Sequence, residues 1–400
     1  MPRHMDFRDT PDEAEFRRRV RSWLEEHIPE GWGTPGHKEP EGEERLAFFR
    51  DWSRQLYEAG LVGLTWPKAY GGYEEPLGHQ VIALEEFARS EAPEHVGVIG
   101  LGMAAPTILA HGTEEQRERH LKPILTGEDI WCQGFSEPGA GSDLASLSTK
   151  AVRDGDDYVV NGQKVWSSFA HIADYCILVT RTDASGPKHQ GMTYFLLDMH
   201  SPGVEVRPLK QITGDSEFNE IFLTDVRVPA TDVIGGEGNG WAVAITTLMN
   251  ERASLGLALT VRLEVAFRHL VELARSTKRN GSTAADDPLF RDRIAFLWTR
   301  VQALRFTNYR AYSEFLKTGM PGPEGSIAKL VWSETNQEVT KLALEIEGPF
   351  AMLSGGGHSV LDGRWQQLQL RSRGNSIEGG TSEILRNIIA ERVLSLPKGR

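Results

Sequence analysis

Two cysteines in 400 residues, Cys132 and Cys176, are too few and wrongly spaced for a disulfide framework or a metal-binding cluster. Both stand in apolar, strand-like stretches, where a buried and inert thiol is expected. No run of 18 uncharged apolar residues has the context of a bilayer-spanning helix. The opening residues Met1-Pro2-Arg3-His4-Met5-Asp6 lack the apolar core of a signal peptide, so a cytoplasmic enzyme is the expectation. Basic runs are missing too. With 44 Lys and Arg against 56 Asp and Glu, the net charge of −12 argues against nucleic acid or an anionic membrane as partner. It leaves anionic small molecules open, since these need only a local positive site. Walker, HExxH, paired CxxC and GxSxG strings are absent, which removes the NTPase, zincin, zinc-ribbon and α/β-hydrolase readings. His111 and His171 lie near loops without a spaced partner, so they read as structural or surface residues and no metal site is expected.

What is present falls into three blocks. Up to about residue 128, apolar residues recur with a 3.6-residue period over Phe16–His27, Glu44–Ala59, His79–Ser90 and Thr113–Leu125. Thr113-Glu114-Glu115-Gln116 has the form of a capping box. From 129 to 236 the period becomes two: Tyr158–Val160, Tyr175–Val179, Met192–Leu197, Val204–Val206 and Phe218–Leu223 read as strands. From 237 to 400 helical spacing returns in four or five segments, several of them long. Helices, then strands, then helices is segregation rather than alternation, which predicts an α+β fold with domains at 1–128, 129–236 and 237–400.

Two strings in the middle block suggest a ligand. Trp131-Cys132-Gln133-Gly134-Phe135-Ser136-Glu137-Pro138-Gly139-Ala140-Gly141-Ser142-Asp143 holds a Gly-rich turn with a hydroxyl at each end, suited to close backbone approach to a large flat ligand and its phosphates. Asn161-Gly162-Gln163-Lys164-Val165-Trp166-Ser167-Ser168 reads as an Asn-Gly turn returning a strand that ends in an aromatic and two hydroxyls. In the third block, Gly238 to Val261 contains two charged residues, Glu251 and Arg252. Helical spacing sets Glu251 in a row with Ala244, Leu248, Leu255 and Ala258. A carboxylate on such an apolar stripe is either ion-paired or a base poised beside an apolar cavity, because burying it bare costs several kcal/mol (roughly, on desolvation scales).

Together, in this order and spacing, the two middle strings resemble the flavin and thioester loops of the acyl-CoA dehydrogenase family, and the likeness extends from about residue 10 to 397. The resemblance implies an N-terminal helical domain, a middle β-barrel-like domain and a C-terminal four-helix bundle. It also implies FAD as cofactor and α,β-dehydrogenation of an acyl-CoA thioester to a trans-2-enoyl-CoA, with electrons passed to an electron-transfer flavoprotein. By that likeness Gln133, Phe135 and Ser136 contact the isoalloxazine through backbone and hydroxyl groups. Gly141 and Ser142 lie in the cofactor loop, with Ser142 on the CoA side. Trp166 packs at the flavin edge, Ser168 stands beside N5, and Thr381 and Glu383 reach the ribityl-pyrophosphate region.

Most relatives carry the catalytic base as Glu in a Tyr-Glu-Gly-Thr string. The matching segment here, Ile377-Glu378-Gly379-Gly380-Thr381-Ser382-Glu383, puts Gly379 at that place. Isovaleryl-CoA and long-chain acyl-CoA dehydrogenases show the same vacancy and take the base from the long helix, next to an Arg. Glu251-Arg252 matches that arrangement, which assigns Glu251 and Arg252 to the catalytic set and Ser142 and Arg252 to the substrate side. Glu378 remains a competitor one residue out of register. Two departures affect the half of the FAD site that a neighbouring subunit donates in relatives. Thr277-Lys278-Arg279-Asn280-Gly281 replaces an Arg-x-x-Phe-Gly string, and Glu345-Ile346-Glu347-Gly348-Pro349 replaces Gln-x-x-Gly-Gly. A homotetramer is the expected assembly. A heterotetramer of the kind formed by bacterial dehydrogenases of steroid side chains is the alternative. The resemblance also admits an acyl-CoA oxidase, a flavin monooxygenase, or a non-catalytic subunit of the same fold.

Overall fold

In the computed structural model, residues 8–34, 37–279, 281–318, 322 and 324–397 are described, those at 252–257, 315, 318 and 324 by backbone alone. The chain begins with helices α1 (Pro11–His27), α2 (Gly42–Glu58), α3 (Leu77–Ser90), α4 (Ala105–His111) and α5 (Glu114–Thr126). Thr10 and Glu13 form a capping box at α1, and Thr113 and Gln116 form the expected one at α5. Gln116 also donates to Thr231 O (2.8 Å) and Val233 O (3.0 Å), so the cap that starts α5 fastens it to the strands as well. The amphipathic faces of α1, α2 and α3 meet around Phe16, Leu24, Trp52, Leu56 and Ile82.

Eight strands follow: β1 (Trp131–Gly134), β2 (Lys150–Asp154), β3 (Asp157–Ser168), β4 (Tyr175–Arg181), β5 (Met192–Asp198), β6 (Val204–Leu209), β7 (Phe218–Pro229) and β8 (Val233–Ile234). They hydrogen-bond in the order β6-β7-β3-β2-β4-β5-β8, with β1 pairing parallel to β4. One face packs against α4, α5 and the next helix through Trp131, Ile177, Tyr194 and Leu196; the other holds Tyr158, Phe195, Ile221 and Val226. Cys132 and Cys176 are opposite one another on β1 and β4, both free and buried.

The Asn161-Gly162 turn is corrected by the fold. Those residues lie inside β3, at a bulge against β7, and Asn161 is tied to Asp225 by two hydrogen bonds (3.0 and 2.9 Å). The β2–β3 hairpin instead turns at Gly155 and Asp156, where Gly155 has φ 66°. Gly162 is needed for clearance, since a Cβ there would sit 2.4 Å from Thr149 Oγ1. The ladders that β3 shares with β2 and β7 outweigh one favourable turn dipeptide.

Helices return with α6 (Gly240–Ser276), then a short hairpin of β9 (Lys278–Arg279) and β10 (Ser282–Thr283). After it come α7 (Pro288–Thr318), α8 (Glu324–Glu347), α9 (Arg364–Asn375) and α10 (Ser382–Ile388). Leu263, Leu270, Val301, Leu342 and Trp365 fill the centre of this bundle. No helix among the described residues is long and apolar enough to cross a membrane.

Candidate active site

The first ligand-like string leaves β1 as a loop, and β3 runs back beneath it. Val165 N donates to Ser136 O (2.9 Å), and Lys164 Nζ donates to Phe135 O (3.1 Å). Lys164 is fully buried, and its ammonium lies 2.8 Å from Glu137 Oε1. Glu137 in turn accepts from Ser148 N (2.7 Å), Ser148 Oγ (2.8 Å) and Thr149 N (2.9 Å). Burial alone would raise the Glu137 carboxyl, but the Lys164 charge and these hydrogen bonds hold it down to about 2. Burial lowers Lys164 from its ordinary value, with Glu137 opposing that shift. An ion pair at this depth contributes a single loop conformation more than net stability.

Above that anchor the loop is open. Gly141 and Ser142 are exposed, and a Cβ at Gly139 or Gly141 would meet nothing within 4 Å. Gln133, Ser136 and Ser168 are half-buried at the same edge. The Phe135 ring points into the core, edge-on to Tyr194 at 5.8 Å, so only its backbone is available to a ligand. Trp166 is 61% exposed at φ 62°. A large aromatic held in the left-handed region and presented to solvent is costly unless something covers it.

Trp166 connects this edge to the C-terminal helices. Its ring meets Phe218 edge-on at 6.1 Å, and the Arg371 guanidinium lies 5.8 Å from the Phe218 centroid. Arg371 holds Glu378 through two hydrogen bonds (3.2 and 2.8 Å), and Asn375 Nδ2 adds a third at 2.7 Å. Glu378 is thereby held against α9 by an arginine and an amide.

The next residue faces the long helix. A Cβ on Gly379 would lie 3.3 Å from Glu251 Oε1 and 3.6 Å from Lys329 Cε. Glu251 is half-buried on α6, and Leu248 and Ala244, one and two turns earlier, pack in the apolar cluster against the sheet. Lys329, buried on α8, donates to Asn375 O and Gly380 O, both at 2.7 Å, and so staples the loop on either side of Gly379. Gly379 and Gly380 take φ values of 61° and 97°, which glycine adopts without strain. Thr381 caps α10 by accepting from Ile384 N (3.2 Å), and Glu383 is exposed in the first turn. The side chain of Arg252 lies outside the described residues.

The structure thus gathers two groups. Gln133, Phe135 and Ser136, on β1 and the loop after it, are tied to β3, which carries Trp166 and Ser168. Glu251 meets the position of Gly379, two residues before Thr381, on the helical side, where Arg371 and Phe218 lead back to Trp166. Sequence reading missed Glu137, Lys164, Lys329 and Arg371. A lysine inside an alternating strand was the available signal for Lys164; nothing local marked the others. A cavity of about 1110 Å³ opens beside Met249 and Asn250 and runs along α6 between α3 and α7.

Three family models match successive parts of the chain: the acyl-CoA dehydrogenase N-terminal domain over residues 10–128, its middle domain over 132–226 and its C-terminal domain over 238–394. The chain belongs to the acyl-CoA dehydrogenase family. Acyl-CoA dehydrogenase IpdE1 of Mycobacterium tuberculosis is 42% identical over 395 residues, covering 97% of this chain and 98% of that one. Among solved structures, the Tcur3481-Tcur3483 steroid ACAD superposes with a TM-score of 0.85 at 30% identity, covering 99% of this chain and 100% of that one. The ChsE4-ChsE5 complex from Mycobacterium tuberculosis gives 0.84 at 32%, with the same coverage. As an acyl-CoA dehydrogenase the protein is an FAD-dependent oxidoreductase that introduces an α,β double bond into an acyl-CoA thioester. The open Gly139–Ser142 loop and the uncovered Trp166 fit a flavin. Bound FAD supplies the acceptor for the β-hydrogen and its electron pair.

Proposed function

We propose that Glu251 is the general base and that the substrate is a bulky, ring-bearing acyl-CoA. We further propose that the enzyme works in an assembly with a second, different chain and delivers its electrons to an electron-transfer flavoprotein. The observation that carries the reading is the contact between Glu251 Oε1 and the Cβ position of Gly379. A carboxylate on α6 there occupies the space that a side chain at position 379 would fill, so it addresses the same reacting carbon. The α-C–H of a thioester is too weak an acid for an unaided carboxylate. Backbone N–H groups of the loop stapled by Lys329 would stabilise charge growing on the thioester oxygen, and an apolar surrounding strengthens that interaction. On this reading Arg252 and Ser142 serve the thioester side, and Gln133, Phe135, Ser136, Gly141, Trp166, Ser168, Thr381 and Glu383 serve the cofactor.

The acyl class is supported by the cavity, whose volume of about 1110 Å³ lies just above the usual range of small-molecule sites, roughly 300–1,000 Å³. The steroid enzyme among the neighbours agrees with it. The hetero-assembly is supported by the two altered strings, which engage each other. Arg279 donates to Glu345 O (3.0 Å) and lies over the Phe290 ring, while Glu345 is ion-paired with Arg293. Groups satisfied within their own chain, one of them anionic, are poor donors to a neighbour's pyrophosphate. Leu289, Phe296 and Phe306 are exposed along α7, an apolar surface suited to burial against another subunit.

Anaerobic flavin bleaching by short, branched, straight-chain and ring-bearing CoA thioesters tests the reading. Ring-bearing thioesters should bleach fastest, and Glu251→Gln should slow the response on the order of 10²–10⁴-fold. Unimpaired bleaching in that variant would remove Glu251 from the role.

A further inference from the structure

We infer that Tyr194 is a positioning residue for the reaction: with Thr247 and Thr107 it forms a buried chain of hydroxyls that sets where Glu251 stands relative to the flavin loop. This rests on reading Glu251 as the base.

The three hydroxyls come from three parts of the fold. Thr107 is on α4, Tyr194 on β5 and Thr247 on α6, within the N-terminal, middle and C-terminal domains respectively. All three are fully buried in the apolar cluster where those domains meet, among Ala104, Ile108, Met192 and Val243. Thr107 Oγ1 donates to Met103 O (2.7 Å) and lies 2.8 Å from Thr247 Oγ1, which lies 3.0 Å from Tyr194 Oη. With the Thr107 proton committed to Met103 O, Thr107 accepts from Thr247 and Thr247 accepts from Tyr194. Thr247 can share its proton with Val243 O, 3.2 Å away. Burial pushes the Tyr194 phenol far above its ordinary range, so it keeps its proton and donates.

Each end of the chain reaches a part of the site. Thr247 precedes Glu251 by four residues on the unbroken helix α6, about 6 Å along the axis and nearly on the same face. The Tyr194 ring meets Phe135 edge-on at 5.8 Å, in the loop whose backbone is open to the flavin. Met103 belongs to Gly100–Ala104, a widened turn closed by Ala105 N on Gly100 O, and Leu101 and Gly102 of that turn line the cavity. Apolar contact is non-directional and lets packed elements slide, whereas a fully satisfied set of buried hydroxyls holds one register. A shift of about 1 Å in a reacting group can lower a rate on the order of 10²-fold, so the setting of α6 against β5 matters to the chemistry.

Tyr194→Phe removes one oxygen and keeps the ring against Phe135, and Thr247→Val removes the middle hydroxyl with little change in shape. The measurement is stopped-flow reduction of the flavin-loaded enzyme, in its native assembly, by a CoA thioester that bleaches the wild type. Both variants should keep their flavin and their thioester affinity while the limiting rate falls about ten- to a hundredfold. Thr247→Ser, which restores the hydroxyl, should recover most of the rate lost in Thr247→Val. The double variant should be no slower than the slower single one, since both break the same chain. The α-deuterium isotope effect should rise relative to the β-deuterium effect, a change that lost stability alone does not produce. Rates near wild type in both variants overturn the inference, and so does a fall accounted for by lost flavin or weaker thioester binding. If Glu251→Gln is slow and Tyr194→Phe is not, this inference alone fails. If Glu251→Gln reduces its flavin as fast as the wild type, the reading of the base falls and takes this one with it.

Discussion

Glu251 Oε1 stands 3.3 Å from the point where a side chain at Gly379 would begin, although 128 positions separate the two residues in the chain. On the proposed reading the contact links two features of the sequence: Gly379 in the string that resembles Tyr-Glu-Gly-Thr, and a glutamate on an apolar helical stripe. Glu378, the neighbouring alternative, is turned toward Arg371 and Asn375 instead.

Replacing Glu251 with Gln should therefore leave flavin and thioester binding intact while flavin reduction falls by on the order of 10²–10⁴-fold. Stopped-flow absorbance with a CoA thioester that bleaches the wild type is the measurement. Glu378→Gln should reduce the rate far less, its main effect being a lower melting temperature as Arg371 loses one of its two carboxylate partners, Glu217 remaining. A reversal of the two effects would return the role to Glu378.

Gly379→Glu in a Glu251→Ala background should recover part of the lost rate, since the new carboxylate enters the vacated space. Recovery will be incomplete because φ of 61° costs a side-chain-bearing residue about 1–2 kcal/mol. No recovery, with flavin content unchanged, would show that the two positions do not address the same carbon.

The Glu137–Lys164 pair gives the middle domain an acid sensitivity of known sign. The folded carboxyl sits near 2 against an ordinary 4.5, so its contribution is complete above about pH 4.5 and drains away as pH falls toward 2. Glu137→Gln should flatten stability across that window. At neutral pH it should cost about 3–5 kcal/mol, because Lys164 is left buried without its counter-charge. Urea titrations at pH 7 and through the acid range check both halves.

Expressed alone, the chain should hold FAD weakly and gain it stoichiometrically with a second acyl-CoA dehydrogenase-like chain, read by size exclusion and flavin absorbance. A flavin-replete tetramer of this chain by itself would restore the homotetramer and show that Arg279 and Glu345 release one another on assembly.

Much of this was legible in the sequence, for local reasons. Hydrophobic period separated helical from extended blocks because side-chain direction repeats every 3.6 or 2 residues. Thr113 and Gln116 announced a helix start because a cap is made within four residues. Glu251 stood out because a charge on an apolar stripe is conspicuous in one dimension. Tertiary structure decided whatever depends on partners distant in the chain. Asn161-Gly162 has the local chemistry of a turn, yet β7 holds it in a strand. Lys164 and Glu137, 27 positions apart, become a buried ion pair only when β3 passes beneath the loop after β1. Periodicity reports which way a side chain faces; only packing of the elements determines what it meets there.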